Sequence, residues 1–326
     1  MRKNFKKTLL TAGLFTVMAF ALTACGSKNE NTAGSEAAKP EKVTVTDLDG
    51  TQVEVPYDAQ RIAVLDYASL DIIDGLELGD RVVALPKSSY VSYLEEYVKN
   101  DNIVDTGSVK EVNYEALMQA EPDLIIVGGR LSGSIEELSK YAPTILVKSD
   151  EEGIGYMESL NKNVNSIASI FGKESKADEL LNGFQARIDS MKAQTADKTA
   201  LVGLTTGGSL SLYGSGQRFS IICNEIGFTN LKSDDASASG SAHGDTASFE
   251  VVVDKNPDYV FIVDRDAVVG GQSNAAQVMD NALIHQTSAY QNNQIVYLTG
   301  DVWYLASGGI KATDLMISEV EKAIAK

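Results

Sequence analysis

Histidine, cysteine and tryptophan are scarce in this sequence. Its 326 residues include two histidines, two cysteines and one tryptophan. It also lacks the HExxH and CxxC motifs, a phosphate-binding glycine loop and a nucleophile elbow. Since Cys25 falls in the N-terminal segment described below, Cys223 has no partner for a disulfide and is expected to be a small core residue. These absences argue against an enzyme and favour a protein that binds its partner without changing it.

Positive charge is also in short supply. The chain has 28 Lys and Arg residues against 45 Asp and Glu, a formal net charge of -17 at pH 7. Such an acidic chain is a poor partner for nucleic acid, which we therefore exclude. Any site for an anion must be built from a few clustered arginines that act against the field of the remaining charges.

The N-terminal segment has the pattern of an export signal. Basic residues from Arg2 to Lys7 precede an apolar run over 9–22, and Thr23-Ala24-Cys25 follows. This pattern predicts a signal peptide over 1–24, and a cysteine at the cleavage site predicts a lipoprotein that carries its lipid on Cys25. A transmembrane anchor is the alternative, but the apolar run is too short to span a bilayer. Residues 25–41 are mostly small and polar, which predicts a flexible tether.

Beyond the tether, short apolar strands alternate with helical patterns, which predicts an α/β fold with mostly parallel central sheets. One long helix is predicted over 174–193, where apolar residues recur every three or four positions between Ala177 and Met191. We expect this helix to be a strut over 173–196 between two Rossmann-like lobes, 42–172 and 197–326, with the ligand cleft between them. An ordinary surface helix is the alternative.

Two segments, one on each side of this helix, match each other in register. Glu115 and Glu250 each precede a Pro-Asp pair by seven positions, and an apolar strand follows each pair. Arg130 and Arg265 each stand eight positions after the proline. Chance agreement at so many positions is improbable, so we interpret the segments as a duplicated helix–turn–strand unit, one per lobe.

Three arginines are placed to face the cleft. Ligands of α/β sheets bind beyond the carboxyl ends of the strands, which is where Arg130 and Arg265 are expected. Arg218 follows a Gly-Ser-Gly-Gln loop in the second lobe. Guanidinium groups are always charged and form forked hydrogen bonds to oxygen anions, so three of them in one cleft favour a compact, multiply charged anion. Ordinary surface ion pairs are the alternative.

The lipoprotein signal, the paired Glu…Pro-Asp…Arg units, the connecting helix and the segment Asp301-Val-Trp303-Tyr304-Leu-Ala-Ser-Gly-Gly resemble the class III solute-binding proteins of ABC importers. Within that family the sequence is most similar to the ferric catecholate-siderophore branch, with its petrobactin- and enterobactin-type receptors. The resemblance implies an Fe(III)–siderophore ligand, no tightly bound cofactor, and delivery to a permease dimer with its ATPase. It also implies a monomer held by its lipid on the outer face of a Gram-positive cell membrane.

The resemblance assigns roles to individual residues. Arg130, Arg218 and Arg265 match the arginine triad that cradles the anionic ferric catecholate. Glu115 and Glu250 match the carboxylates that dock the two lobes onto the permease.

A second group of residues is expected at the cleft. His243 and Tyr304 match positions that complete the coordination of iron when the siderophore supplies four donors, and phenolate and imidazole suit Fe(III) in that role. Lys87, Tyr67 and Trp303 are expected to contact the ligand, with core packing as an equal alternative for Trp303.

Two other functions stay open from the sequence. The same fold could serve as a receptor for haem, cobalamin or a hydroxamate siderophore, which have less need of three arginines. An extracytoplasmic enzyme acting on an anionic substrate would use His243 and Asp245 as acid and base. The remaining histidine, His285, is expected to pack or to be exposed.

Overall fold

The computed structural model describes residues 40–149, 153–232, 244–272 and 274–325. The predicted signal peptide, its Cys25, most of the predicted tether and His243 lie outside these residues. Among the helices of these described residues, none combines the length and the apolar character needed to span a membrane.

Residues 42–172, called the first lobe below, open with an antiparallel hairpin and continue into a parallel sheet; residues 197–326 are called the second lobe. The hairpin turns at Asp49-Gly50, a pair typical of hairpin turns, and consists of β1 (Lys42–Thr46) and β2 (Gln52–Pro56). The following strands and helices are β3 (Ile62–Val64), α1 (Tyr67–Gly75), β4 (Val82–Leu85), α2 (Glu95–Lys99), β5 (Val104–Asp105), β6 (Gly107–Ser108), β7 (Glu111–Val112), α3 (Tyr114–Gln119), β8 (Leu124–Gly128), α4 (Ile135–Leu138) and β9 (Thr144–Val147). The sheet has the order β5–β4–β3–β8–β9, and all four pairings are parallel.

Both faces of this sheet are covered, as its nearly continuous apolar strands predict. Successive residues of β3 and β8 alternate between two apolar clusters: Ile62 and Val64 pack on one face, and Ala63 packs on the other. The helices of this lobe are short. A 3₁₀ turn at Ser92–Leu94 leads into α2, and α4 ends at Leu138.

Two long helices lead out of the first lobe. They are α5 (Tyr156–Phe171), which ends at Gly172 in the left-handed conformation, and α6 (Glu174–Thr195). The buried residues of α6 recur at helical spacing from Ala177 to Thr195. The predicted long helix is therefore confirmed, and the two central sheets lie on either side of it in the sequence.

The second lobe is built on a mixed sheet. Its strands and helices are β10 (Thr199–Thr206), β11 (Ser209–Tyr213), β12 (Thr229–Asn230), β13 (Asp245–Ala247), α7 (Phe249–Lys255), β14 (Tyr259–Asp264), α8 (Ala275–Met279), α9 (Ser288–Gln291), β15 (Ile295–Leu298), α10 (Gly300–Tyr304) and α11 (Ile310–Ile324). The order is β13–β11–β10–β14–β15, and β12 also pairs with β10. The pairs β10–β14, β14–β15 and β10–β12 are parallel, whereas β11 is antiparallel to both of its neighbours.

Two segments of this lobe depart from regular secondary structure. The stretch 301–309 begins within the short helix α10. The other segment is a π-helical turn at Ile221–Glu225. Both segments are short, and their apolar residues reflect tertiary packing more than a helical repeat.

The closing helix α11 reaches beyond the lobe in which the sequence places it. It packs against α1 of the first lobe and against α6. Arg187 of α6 donates to Asp314 and Glu321 of α11 at 2.6 Å each. A large apolar cluster runs without interruption through both sheets, α6 and α11.

Candidate functional site

The duplicated unit performs the same structural task in each lobe. Asp123 accepts hydrogen bonds from the backbone N–H groups of Gln60 (2.8 Å) and Arg61 (2.9 Å), just before β3 begins. Asp258 accepts from the backbone N–H of Thr199 at 2.8 Å, where β10 begins. Each aspartate thus joins the starts of two parallel neighbours, β3 with β8 and β10 with β14. The arginine of each unit consequently emerges at the opposite, carboxyl end of its sheet.

The three predicted arginines meet at one residue, Tyr304. The backbone carbonyl of Tyr304 accepts from the Nη2 atoms of both Arg130 (2.9 Å) and Arg218 (2.8 Å). Its phenol oxygen lies 3.1 Å from Nε of Arg265. The guanidinium carbons of Arg218, Arg130 and Arg265 lie 4.5, 5.5 and 5.8 Å from the centre of the Tyr304 ring. The first lobe supplies one of these cations and the second lobe supplies two.

These contacts change the acidity of the tyrosine. Burial by itself would raise the pKa of Tyr304, but the hydrogen bond from Arg265 and the charges of Arg218, Arg265 and Arg130 outweigh it. The net result is a pKa below the ordinary value for a phenol. The ring is nearly inaccessible, whereas the three arginines are half-buried and remain open to solvent on one side. The site is therefore a positively charged surface with an electron-rich ring at its centre.

Two of the predicted ligand contacts have buried side chains. Trp303 is 0% exposed, packs edge-on against Phe219 and donates its indole N–H to Glu319 at 2.7 Å, which fits the packing alternative. Tyr67 is 1% exposed and donates to the backbone carbonyls of Pro86 (2.7 Å) and Ser89. Ligand contact by either side chain stays a prediction.

Lys87 lies on the loop that Tyr67 holds. Its backbone N–H donates to Asp105 at 3.1 Å, and its ammonium group donates to the backbone carbonyl of Asn100 at 2.7 Å. The side chain is therefore engaged within its own lobe. Ligand contact by Lys87 stays a prediction, since it would require this exposed hydrogen bond to open.

Glu115 and Glu250 occupy equivalent surface positions. Each lies in the first turn of its helix, α3 or α7, and each is exposed. A hydrogen bond from Ser248 lowers the pKa of Glu250. Met118, one turn beyond Glu115, has an apolar side chain that is 57% exposed, and no pattern in the sequence singles it out.

The predicted histidine ligand cannot be placed, because His243 lies outside the described residues. Among the residues that are described, groups of three or more His, Cys, Asp or Glu side chains positioned for a metal ion do not occur. His285 is exposed as predicted: its Nε2 lies 2.5 Å from Asp280, and its ring lies against Tyr290.

A buried carboxylate beneath the arginines was not predicted. Asp66 follows β3 and caps α1, accepting from the backbone N–H of Ser69 at 3.0 Å. Burial raises the pKa of Asp66, and the positive charge of Arg130 opposes this effect. The signal in the sequence was an aspartate directly before a helix, which indicates a capping residue and says nothing of its proximity to Arg130.

Comparisons with known proteins identify the family and the fold of this chain. A family model described as "Periplasmic binding protein" matches residues 62–302. The petrobactin-binding protein YclQ of Bacillus subtilis is 35% identical over 95% of this chain and 96% of its own length. Its crystal structure superposes with a TM-score of 0.82, covering 88% of this chain and 100% of that one.

Two Vibrio proteins are also similar. The periplasmic catecholate-siderophore binding protein VctP from Vibrio cholerae is 33% identical with a TM-score of 0.79, covering 86% of this chain and 100% of that one. The ferric-anguibactin-binding protein FatB of Vibrio anguillarum is 28% identical over 98% of each chain. The similarity spans both sheets and the helix between them.

Proposed function

We propose, because this chain belongs to the periplasmic binding protein family, that it captures a ferric catecholate-type siderophore between its lobes and delivers it to an ABC importer. The family and the α/β fold are those that the sequence predicts. Relatives named for petrobactin, anguibactin and catecholate siderophores support this class of ligand.

The convergence of Arg130, Arg218 and Arg265 on Tyr304 carries the proposal. An Fe(III) tris-catecholate centre carries three negative charges spread over oxygen atoms, which matches three guanidinium groups presented from two lobes. Guanidinium planes also stack on electron-rich rings, as they already do on Tyr304. Each such charge-assisted hydrogen bond is worth about 1.5–3 kcal/mol.

Iron coordination by the protein is a second part of the proposal. The lowered pKa of Tyr304 favours the phenolate form that binds Fe(III), and the phenol lies among the arginines that would hold the chelate. His243 is proposed as the partner ligand on the strength of the family resemblance. Both would act when a siderophore leaves two coordination positions free, and a six-donor siderophore would need neither.

The remaining functional assignments follow from the family. The protein binds and releases its ligand without catalysis, as a monomer, and has no nucleic-acid partner. Glu115 and Glu250 dock the two lobes onto the two halves of a permease dimer that works with an ATPase. Lipid on Cys25 holds the protein on the outer face of the cell membrane, consistent with relatives named as lipoproteins.

The test is a titration that uses the fluorescence of Trp303, the sole tryptophan, which adjoins Tyr304. The panel comprises ferric tris-catecholate and bis-catecholate complexes, a ferric hydroxamate, haem and cobalamin. We expect the catecholates to bind most tightly, and we expect changing all three arginines to Gln to weaken that binding at least about a hundredfold. Arg81→Gln is the control, because Arg81 pairs with Asp58 inside the first lobe.

Two results would overturn the proposal. A neutral ferric hydroxamate that binds more tightly than every catecholate would reassign the ligand. Undiminished catecholate affinity in the triple variant would favour a receptor for haem, cobalamin or a hydroxamate siderophore.

A further inference from the structure

A buried carboxylate of the first lobe holds the start of the closing helix. Asp71 of α1 is 0% exposed and accepts from the backbone N–H groups of Lys311 (2.9 Å) and Ala312 (2.8 Å), in the first turn of α11. It also accepts from the phenol of Tyr93 at 2.6 Å. A Cβ at Gly309 would lie 2.2 Å from Oδ2 of Asp71, so the chain can approach this closely only at a glycine.

The same part of the first lobe also holds α10. The backbone N–H of Ser92, the neighbour of Tyr93, donates to Asp301 of α10 at 2.7 Å. Asp71 is therefore linked to α10 by two hydrogen bonds, one to Tyr93 and one from the adjacent Ser92 to Asp301. It is linked to α11 directly, by the hydrogen bonds from the backbone of that helix. Because α10 and α11 are consecutive in the chain, the two sets close a ring.

The turn between α10 and α11 is held by further hydrogen bonds. The phenol of Tyr156 accepts from the backbone N–H of Gly308 at 3.0 Å and lies 2.8 Å from the hydroxyl of Thr313. The backbone N–H of Gly309 donates to the carbonyl of Ala306 at 2.9 Å. Residues 301–313 are consequently anchored to the first lobe and α5 at several points.

This anchoring matters because Tyr304 lies at the end of α10. The helix has only five residues and is too short to hold its own position. Its last carbonyl must nevertheless stay within 3 Å of arginines that come from different lobes. We infer that Asp71 is a positioning residue for ligand binding: through the hydrogen-bonded ring it sets the place of Tyr304, and with it the spacing of the three arginines.

This inference rests on the proposed function for its affinity measurement, but it also has a readout that needs no ligand. In Asp71→Asn the negative charge is lost and one of the two acceptor oxygens becomes an NH₂ group, which cannot accept a hydrogen bond. The hold on Tyr93 and α11 weakens, and α10 is then able to shift. We expect the emission maximum of Trp303 to move in the ligand-free protein and the Kd for a ferric tris-catecholate to rise about tenfold, an effect typical of changes that act through packed contacts. Asp123→Asn is the matched control, since Asp123 also accepts two backbone N–H groups but lies at the far end of its sheet. It should change Kd less than about twofold.

A double-mutant cycle separates positioning from general loss of stability. If Asp71 acts by placing the carbonyl of Tyr304, then Asp71→Asn should cost much less in an Arg130→Gln background than in the wild type, because Arg130 donates to that carbonyl. Additive effects on Kd would overturn the inference, and so would unchanged affinity and emission in the single variant. Should Asp71→Asn fail to fold, Tyr93→Phe removes one bond from the same carboxylate and is expected to raise Kd about threefold with a smaller emission shift.

If the wild-type protein binds no ferric catecholate, the proposed function fails. The emission of Trp303 in the ligand-free variants still decides whether Asp71 positions α10. A shift in Asp71→Asn without a shift in Asp123→Asn supports that role, and equal behaviour of the two variants contradicts it.

Discussion

The two lobes begin from the same unit and end with different contacts. In both, a Pro-Asp pair ties together the starts of two parallel strands, Asp123 in the first lobe and Asp258 in the second. In both, an arginine emerges at the other end of the strand. Arg130 reaches the backbone carbonyl of Tyr304, whereas Arg265 reaches its phenol oxygen.

The difference shows what a duplicated unit can and cannot specify. The repeat fixes where each strand begins and which end of the sheet its arginine occupies, because both follow from local geometry. It does not fix the atom that the arginine binds. That atom comes from Tyr304 on α10, an element that the first lobe does not supply but helps to hold in place through Ser92.

The largest expected effect concerns Glu115 and Glu250, the carboxylates that we propose dock onto the permease and that the repeat places alike. Reversing both charges in Glu115→Lys/Glu250→Lys should lower siderophore-dependent uptake about a hundredfold or more, since like charges facing each other across an interface cost several kcal/mol. Uptake of radioactive iron in whole cells measures this, while Kd of the purified protein should stay unchanged.

The single reversals sharpen the comparison of the lobes. Equal losses from Glu115→Lys and Glu250→Lys would mean that the lobes dock equivalently on the permease. Normal uptake in the double variant would contradict the docking role altogether.

The next effect concerns the arginines of the repeat. We expect Arg130→Gln and Arg265→Gln each to weaken catecholate binding about 10- to 100-fold, through loss of a charge-assisted hydrogen bond. Tyr304→Phe removes the atom that Arg265 contacts and leaves the carbonyl that Arg130 contacts. Titrations should therefore show strong coupling of Tyr304→Phe with Arg265→Gln and weak coupling with Arg130→Gln. Equal coupling would show that both arginines act on the ring alone.

The smallest effect concerns how two aspartates, Asp71 and Asp258, make the free energy of unfolding depend on pH. Burial raises the pKa of Asp71 to about 6, so the folded protein binds this proton more tightly than the unfolded chain does. Its contribution to stability is present at pH 4 and is lost as the pH rises through 6. The backbone hydrogen bond from Thr199 lowers the pKa of Asp258, so its contribution is present at neutral pH and is lost in acid.

Urea unfolding at pH 3.5, 5 and 7 checks both slopes. Asp71→Asn should flatten the change in the free energy of unfolding between pH 4 and 6, a change on the order of 2 kcal/mol. Asp258→Asn should reduce only the change in the free energy of unfolding that occurs below pH 4. The prediction is contradicted if both variants change the free energy of unfolding in the same pH range.

The sequence predicted most of the fold because local patterns control it. Apolar spacing gave α6 almost to its ends, and the Asp49-Gly50 turn gave the hairpin. The repeat placed Arg130 and Arg265 at one edge of the molecule, and the structure brings them together with Arg218 around Tyr304.

The rest depends on contacts between distant parts of the chain. From their positions in the sequence, Tyr67 and Trp303 are expected beside the cleft. Their side chains instead point into the core, where each donates a hydrogen bond. Asp71 gave no signal because its backbone partners on α11 lie 240 and 241 residues away. A polar residue within an amphipathic helix looks solvent-exposed until the helix that packs on it is known.

The uninterrupted apolar cluster has a consequence for folding. Since it runs through both sheets, α6 and α11, neither half of the chain can bury its own apolar surface alone. Calorimetry should then record one cooperative transition despite the two separate central sheets, and a chain cut near Gly172 should yield two aggregation-prone fragments in place of two stable domains.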